Sequence, residues 1–464
     1  MKLLFIGLGR SHFKCYESIM RSLVARGHEV VLTYRKDPGD IKPALELEAF
    51  VKEFPNVKLE YIAGIEKNTF VEQLAGACTV SHYLRYSENS LFYLNRRVPK
   101  SIRKIFMSRL VRWLMATGLF YYTLRGIIKI MIPTKEAQAY LESVKPDFII
   151  ASPGNSKLIH EMLYLKAARK LKIPAFISVL SWDNLSTKSM FLLKPDRVFI
   201  WNKSHYKDAL QFNRFSPDRL TITGATYFDR WFDNRWPALT PEELCAKMEL
   251  ESNKPFILYL GSSANIAKDE TWAVRELWEN IQKKVAAGAL PPLQMLVRPH
   301  PENQEIYRQI EGTAGVSVYP PPGSVHTADT LYHSLKNCFA VVGINTSAML
   351  ETMIFNKPVI TIVSGQYSNT QEDAIHFKHL VDLGALYVCK SNEEAPQVIA
   401  DLLNWKDPAS DARKQFVTDY IRPFGNDKSS GSLIVRFLEE LKKGKTPREI
   451  EASFSVPYET REAA

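Results

Sequence analysis

The segment VVGINTSAMLE, residues 341–351, places small polar residues between an apolar strand and a helix. Asn345, Thr346 and Ser347 are expected at the start of that helix, where free backbone amides and a partial positive charge favour a phosphate group. Glu351, one turn further on, is expected to reach ribose hydroxyls. Because the same residue types are also ordinary helix caps, this segment alone fits both a phosphate site and a plain cap.

A second candidate is LVRPHPEN, residues 296–303, where an apolar strand leads into a loop stiffened by Pro299 and Pro301. The loop holds Arg298 and His300 two positions apart. A guanidinium and an imidazole fixed side by side suit charge-assisted hydrogen bonds to a diphosphate leaving group. We expect His300 to act on that group during the reaction.

A third candidate is GSSAN, residues 261–265, which follows another apolar strand. Gly261 permits a close backbone approach, and the hydroxyls of Ser262 and Ser263 suit a phosphate, although the same residues also form tight turns. Loops that follow parallel strands meet at one edge of a sheet, where ligands bind in such folds. Three phosphate-compatible loops in one half of the chain therefore predict a single anion site.

In the first half, the predicted loop GLGRSHF places Gly7, Gly9 and His12 after the first strand. The third glycine of the dinucleotide fingerprint is missing, and Tyr34 and Arg35 stand where an acidic residue would end the second strand, which disfavours NAD. His12 is the preferred general base, because an unperturbed imidazole titrates near neutral pH. A buried or capping histidine is the alternative interpretation.

The segment SWDNLSTKS, residues 181–189, supplies Asp183 as the competing base and Trp182 as a ring on which a sugar could stack. Asp-Asn is also common in turns. His376 and His379 lie three apart, but no third ligand is evident near them, so we predict no metal site. No cofactor is predicted.

The elements that position these residues alternate between short apolar strands and helices, which predicts an α/β protein of two tandem doubly wound, Rossmann-like domains facing across a cleft. The chain opens with a predicted strand at Leu3–Ile6, a helix at Tyr16–Ala25 and a strand at Glu29–Tyr34. The expected organisation is an N-terminal acceptor domain (1–230), a linker (231–253), a donor domain (254–425), a helix crossing back to the first domain (426–445) and a flexible tail (446–464).

Composition supports an ordinary globular protein, since 45% of its 464 residues are hydrophobic and 24% are charged. Its five cysteines show no C-x-x-C spacing, which favours a reducing cytosol over a disulfide framework. The N-terminal apolar run is too short for the hydrophobic segment of a signal peptide. We therefore expect a cytoplasmic protein.

The net charge of +10 is unevenly distributed. Residues 113–124, which are uncharged and rich in aromatic residues, follow a basic stretch and are too short for the roughly 20 residues that a membrane span needs. This pattern predicts a peripheral contact with an anionic membrane surface, and no nucleic-acid motif accompanies it. The basic residues are Arg96, Arg97, Lys100, Arg103, Lys104, Arg109 and Arg112.

Taken in order, the motifs GRSHF, SWDN, RLTITGATYFD, GSS, RPHP, GINTSAMLE and YIRPFGNDKSSG resemble those of GT-B glycosyltransferases and related polysaccharide transferases, including CDP-glycerol glycerophosphotransferase-like and capsule-type enzymes. The resemblance implies that His300-Pro301 and Thr346-Ser347 grip the phosphates of a CMP or CDP donor, with UDP donors left open. Val359 stands where the second glutamate of a Glu-x7-Glu pair would be, which favours inversion.

The resemblance implies transfer of a glycosyl or polyol-phosphate group to a hydroxyl acceptor, a sugar or a lipid-linked glycan, in the synthesis of cell-surface polysaccharide or glycolipid. One alternative is a non-hydrolysing nucleotide-sugar 2-epimerase, which Glu351, as a single glutamate in its segment, disfavours. Another is a non-catalytic adaptor that uses the basic stretch to bind a membrane or a nucleic acid. We expect no nucleic-acid partner.

Overall fold

A computed structural model of the chain describes residues 1–7, 10–35, 45–62, 69–86, 108–152, 159–188, 191–371, 374–404 and 407–454. Two compact units make up the protein. The first unit combines 1–229 with 418–464, and the second unit is the continuous segment 230–417.

The first unit is built on a seven-stranded parallel sheet of order β3-β2-β1-β4-β5-β6-β7. Its strands are β1 (Lys2–Ile6), β2 (Glu29–Arg35), β3 (Val57–Ile62), β4 (Phe148–Ala151), β5 (Ala175–Ser178), β6 (Arg197–Ile200) and β7 (Leu220–Ile222). Its helices are α1 (Arg10–Ala25), α2 (Leu45–Glu53), α3 (Thr69–Tyr86), α4 (Arg109–Ala116), α5 (Gly118–Met131), α6 (Lys135–Val144), α7 (Ile159–Leu171), α8 (Lys203–Gln211), α16 (Ser430–Lys442) and α17 (Pro447–Ala452).

The second unit contains a six-stranded parallel sheet of order β10-β9-β8-β11-β12-β13. Its strands are β8 (Phe256–Leu260), β9 (Gln294–Arg298), β10 (Val316–Val318), β11 (Ala340–Gly343), β12 (Val359–Ile362) and β13 (Tyr387–Cys389). Its helices are α9 (Pro241–Met248), α10 (Thr271–Ala286), α11 (Ala328–Asn337), α12 (Ala348–Ile354), α13 (Ile375–Asp382), α14 (Ala395–Leu403) and α15 (Ser410–Phe416).

The predicted α/β class with two parallel sheets is confirmed. Strands such as β4, β8, β9 and β11 are buried along their whole length, which explains why they are continuous apolar runs in the sequence. None of the helices in the described ranges is long and apolar enough to cross a membrane.

The predicted linker 231–253 is instead an integral part of the second unit. The ring of Trp231 stacks on Tyr332 with centroids 6.2 Å apart, and Trp236 lies 5.0 Å from the same ring. On α9, Leu244 and Met248 are buried in an apolar cluster of the second unit. The chain passes between the units at 229–230 and 417–418, so the second unit also ends earlier than residue 425.

The returning segment completes the first unit. Asp229 accepts hydrogen bonds from the backbone amides of Ser430 (3.0 Å) and Gly431 (2.9 Å) at the start of α16, and Arg422 donates to it at 2.8 Å. The segments RLTITGATYFD and YIRPFGNDKSSG therefore bind each other within this unit. Their pairing gives these motifs a structural role.

The prediction of a flexible tail from 446 is wrong as far as residue 454. Thr446 and Glu449 form a capping box at the start of α17, and Phe454 is buried in the core of the first unit. Glu451 is also buried and accepts hydrogen bonds from Arg197 (2.8 Å) and Thr221 (2.6 Å). Residues 455–464 lie outside the described part of the chain.

Candidate functional site

The connections of the second sheet leave in opposite directions at one point. From β8 the chain continues to β9 and β10 on one side, whereas from β11 it continues to β12 and β13 on the other. Leu260 at the end of β8 is in register with Arg298 of β9 and Gly343 of β11. With strands about 4.8 Å apart, the three candidate loops start within about 10 Å of one another. Ligands of such sheets bind at this type of switch point.

Two glycines mark this edge. A Cβ atom on Gly343 would lie 2.8 Å from the carbonyl oxygen of Leu260, and one on Gly261 would lie 2.4 Å from the hydroxyl of Tyr307. Any side chain would force the neighbouring backbone or ring to move. Glycine is therefore required at these two positions, at the end of β11 and directly after β8.

Ser262 does not present its hydroxyl to a ligand, contrary to the prediction. The residue is fully buried, and its Oγ donates to Glu270 Oε2 at 3.1 Å. Tyr307 donates to the same carboxylate at 2.7 Å, and burial raises the pKa of Glu270. Ser262 thus holds the loop against α10, and the half-buried Ser263 is the hydroxyl of this loop that remains accessible.

Arg298 is the most distinctive residue of the edge, because this charged residue is only 5% exposed. Nη2 donates to Thr330 Oγ1 at 2.9 Å and to the carbonyl of Thr327 at 3.2 Å. Nη1 is buried without a hydrogen-bond partner among the described residues. Burial lowers the pKa of Arg298 to about 10, opposed by the negative charge of Glu351, so the group stays charged at neutral pH. A buried charged donor with a spare N–H requires an acceptor.

His300 is half-buried in the loop after β9. Its Nδ1 accepts a hydrogen bond from the backbone amide of Glu302 at 3.1 Å. That contact places the proton of the neutral ring on Nε2, which is therefore a donor. Burial lowers the pKa of His300, so this neutral form is favoured.

The loop after β11 divides into a buried part and an accessible part. Asn345 is buried and its Nδ2 donates to the carbonyl of Thr370, which ties this loop to the segment after β12. Thr346 is half-buried and Ser347 is exposed. Helix α12 that follows has only seven residues.

Glu351 is 1% exposed, so its predicted contact with a ribose is not available in this structure. Its charge acts on Arg298 instead. Of the predicted donor residues, Arg298, His300, Ser263, Thr346 and Ser347 remain able to face a ligand. The other predicted donor residues are buried and hold the loops or Arg298 in place: Gly261, Ser262, Asn345 and Glu351.

The first sheet has the same kind of switch point, between β1 and β4. His12, predicted in a loop, lies in the first turn of α1, because that helix starts at Arg10. Its Nδ1 is 3.9 Å from Oε1 of Glu161 in the first turn of α7, and Ser152 donates to the same oxygen. Both members of the pair are buried.

The electrostatics of this pair differ from the expectation for His12. Burial lowers the pKa of His12 to about 4 and raises the pKa of Glu161 to about 8. Both side chains are therefore neutral at pH 7, and Glu161 is the one that titrates near physiological pH. Glu161 was missed because its only sequence signal is an acidic residue early in a helix that follows a strand.

Asp183 and Trp182 lie just before a π-helical turn, Asn184–Lys188. Asp183 is buried and accepts a hydrogen bond from Ser181 Oγ at 2.8 Å. Trp182 is also buried, with its carbonyl accepting from His205 Nε2 at 3.1 Å. The indole is therefore a core residue and not an open platform for a sugar.

A cavity of 610 Å³ in the first unit lies at the opposite edge of the sheet. It is lined by Phe148, Phe176 and Arg197, near the amino ends of β4, β5 and β6, and by Leu441 and Pro447 of the returning segment. Ligands of doubly wound sheets bind at the carboxyl ends of strands. This cavity is therefore not the candidate site.

Comparisons with known proteins agree on the fold. MnaA of S. aureus, in a co-structure with UDP, has a TM-score of 0.56 and 14% identity over 96% of this chain and 98% of its own. The UDP-GlcNAc 2-epimerase of Neisseria meningitidis bound to UDP-GlcNAc has a TM-score of 0.55 and 13% identity over 96% of this chain and 100% of its own. A glycosyltransferase of Rickettsia africae has a TM-score of 0.53 and 11% identity over 96% of this chain and 99% of its own.

No protein-family model matches the chain, and no curated protein matches its sequence. The chain has the GT-B fold, as the motif order predicted. At these identities the likeness defines the fold and leaves the reaction to be argued from the residues.

Proposed function

We propose that the protein transfers a glycosyl group from a nucleotide-activated donor to a hydroxyl acceptor. The observation that carries this proposal is the buried Arg298, whose Nη1 has no hydrogen-bond partner among the described residues, at the switch point of the second sheet. His300, two positions further along the chain, adds the Nε2–H donor. Both donors suit the oxygens of a phosphate or diphosphate. The hydroxyls of Ser263, Thr346 and Ser347, in the loops after β8 and β11, are further accessible polar groups at this edge of the sheet.

In this proposal the second unit holds the donor and stabilises the departing nucleotide. As the bond between the sugar and the phosphate oxygen breaks, negative charge grows on that oxygen, and Arg298 and His300 stabilise it. MnaA was solved with UDP and the N. meningitidis epimerase with UDP-GlcNAc, which supports a nucleotide-sugar donor here. A cytidine donor, implied by the motif resemblance, is tested beside it.

The first unit supplies the base. The acceptor oxygen attacks the anomeric carbon opposite the leaving group, which inverts that centre, and His12 takes the hydroxyl proton. Glu161 is neutral at pH 7 and ionises near pH 8. In its ionised form, with Oε1 3.9 Å from Nδ1 of His12, it stabilises the imidazolium that forms. Asp183 is the competing base. We place the acceptor among the sugars and lipid-linked glycans of cell-surface polysaccharide or glycolipid synthesis at the cytoplasmic face of the membrane.

Thermal-shift measurements with CMP, CDP, UDP, GDP and TDP test donor binding. A nucleotide at about 100 times its Kd stabilises the native state by about 2.7 kcal/mol. The shift is expected to be lost in Arg298→Leu and kept in Arg308→Leu, a matched control at an exposed arginine paired with Glu305. An equal shift in both variants, or none with any nucleotide in the wild-type protein, contradicts the proposal.

A second experiment separates the transferase from the 2-epimerase. NMR of UDP-GlcNAc incubated with the protein and no acceptor distinguishes the two reactions, since an epimerase forms the C2 epimer while a transferase waits for an acceptor. Appearance of the epimer contradicts glycosyl transfer as the function.

A further inference from the structure

The outer surface of α4 and α5 is unusually apolar. Among the described residues, eight of the fourteen exposed large apolar side chains lie between 110 and 131. We call these eight the hairpin surface: Leu110, Trp113, Leu114, Leu119, Tyr122, Ile127, Ile130 and Met131. Leu119 and Ile130 are more than 80% exposed. Patches of this kind mark a contact with another apolar phase.

The side chains of the hairpin surface do not pack in the core of the first unit, because α4 and α5 bury a different face. Met115, Tyr121 and Ile128 are buried, and α3 packs against both helices. On α5, Tyr122 follows Leu119 by three residues and Ile130 follows Tyr122 by eight, which is about two helical turns, so the three lie on one side of the helix. A surface helix normally carries polar residues there.

The longer segment that contains the hairpin surface, residues 89–135, carries charged side chains of only one sign. Residues 89–135 contain ten Lys or Arg and no Asp or Glu, whereas the whole chain has 60 basic and 50 acidic residues. The remaining residues therefore hold 50 of each, and the entire excess of +10 belongs to this segment. Residues 89–107 lie outside the described part of the chain, whereas Arg109 and Arg112 are on α4, adjacent in sequence to Leu110 and Trp113. Basic residues beside an apolar face are attracted to anionic lipid headgroups.

A bilayer surface fits these features better than a second copy of the chain. An isologous dimer through this surface would bring two excess charges of the same sign together. Helix α5 has 14 residues and is about 21 Å long, shorter than the roughly 30 Å hydrocarbon core. Trp113 and Tyr122 are exposed aromatic residues of the type enriched at headgroup depth.

We propose that the hairpin surface docks in the plane of an anionic lipid bilayer, with α4 and α5 lying along the interface. The apolar side chains enter the boundary of the acyl chains while the basic residues contact lipid phosphates. This goes beyond the proposed function and does not depend on it, because no residue of the donor or base sites takes part.

Vesicle flotation of the full-length protein tests the proposal. Binding is expected to phosphatidylcholine vesicles with about one third phosphatidylglycerol and not to pure phosphatidylcholine, and to weaken as salt is raised. The double variant Leu119→Ser, Ile130→Ser should weaken partitioning about tenfold or more, because both side chains are exposed and lose only their contact with lipid. A second variant reverses Arg103, Lys104 and Arg109 to glutamate.

The matched control is Leu383→Ser, Val388→Ser, which changes two exposed apolar residues of the second unit and should leave binding unchanged. Thermal unfolding verifies that each variant is folded. Equal binding to neutral and anionic vesicles, or full binding by the serine variant, overturns the proposal. So does a dimer that the serine variant converts to a monomer without any change in vesicle binding. Nucleotide thermal shifts in the serine variant should equal those of the wild type, so the two proposals fail separately.

Discussion

The two switch points of the molecule share one topology and differ in their electrostatics. At β1 and β4, burial leaves His12 and Glu161 both neutral at pH 7. At the switch point of β8 and β11, Arg298 stays charged, and His300 in the loop after β9 is half-buried. One edge can therefore exchange a proton and the other can hold an anion. In the proposed function, the topology of each sheet determines where a ligand binds, whereas the burial of a few side chains determines whether that edge carries a neutral pair or a positive charge.

Removing the imidazole at the first switch point should have the largest effect. We expect His12→Ala to lower kcat about 10²- to 10⁴-fold while the nucleotide Kd changes little, because a general base acts on the proton and not on the donor. Steady-state kinetics with nucleotide titrations measure both. If His12→Ala keeps at least half of the turnover while Asp183→Asn is inactive, the base is Asp183 and the comparison fails on this side.

Removing the imidazole at the second switch point should change two quantities together. His300→Ala is expected to weaken nucleotide binding about tenfold and to lower kcat, since one hydrogen bond to a charged group contributes about 1.5–3 kcal/mol. His300→Gln, which retains an N–H donor, should recover part of both. Unchanged nucleotide affinity in His300→Ala would show that this side chain does not face the phosphates.

A smaller effect is expected on the free energy of unfolding, which should depend on pH through Glu161 at the first switch point. The pKa of Glu161 is raised from 4.5 to about 8 in the folded state, so the native state binds the extra proton between these values and its unfolding free energy falls as pH rises. Glu161→Gln removes this loss. Relative to wild type, the variant should gain on the order of 3 kcal/mol of stability between pH 5 and pH 8.

Denaturant unfolding at both pH values measures that gain, and Glu302→Gln at the second switch point is the control. If the difference in unfolding free energy between Glu161→Gln and wild type does not change with pH, Glu161 is ionised in the folded protein. The prediction that His12 and Glu161 are both neutral at pH 7 is then wrong. In activity profiles the same ionisation predicts a rate that rises with pH toward 8.

Sequence patterns predicted the strands well because both faces of each central strand are buried, which leaves an unbroken apolar run such as FILYL or QMLVR. They also located the three loops that meet at the second switch point, since each follows one of those runs. The use of each side chain within a loop was harder to predict. The hydroxyl of Ser262 is hydrogen-bonded to Glu270, a residue eight positions further along the chain, and is therefore not free for a ligand. No local sequence pattern marks that contact.

Tertiary contacts also explain the remaining errors. The pair of His12 and Glu161 joins two helices separated by most of the first unit, so only the folded chain reveals it. The segment around Trp231 is polar and rich in proline, which suggested a linker, although its aromatic rings pack against Tyr332. Aromatic residues in a polar stretch were the signal that this interpretation overlooked.

The return of the chain to its first unit has a consequence for biosynthesis. Core positions of that unit, such as Leu3 and Phe5, share one apolar cluster with Ile434, Phe437 and Phe454. The ribosome makes these partners only after it has made the whole of the second unit, which is one uninterrupted segment. The core of the first unit can therefore be completed only after the second unit has been synthesised.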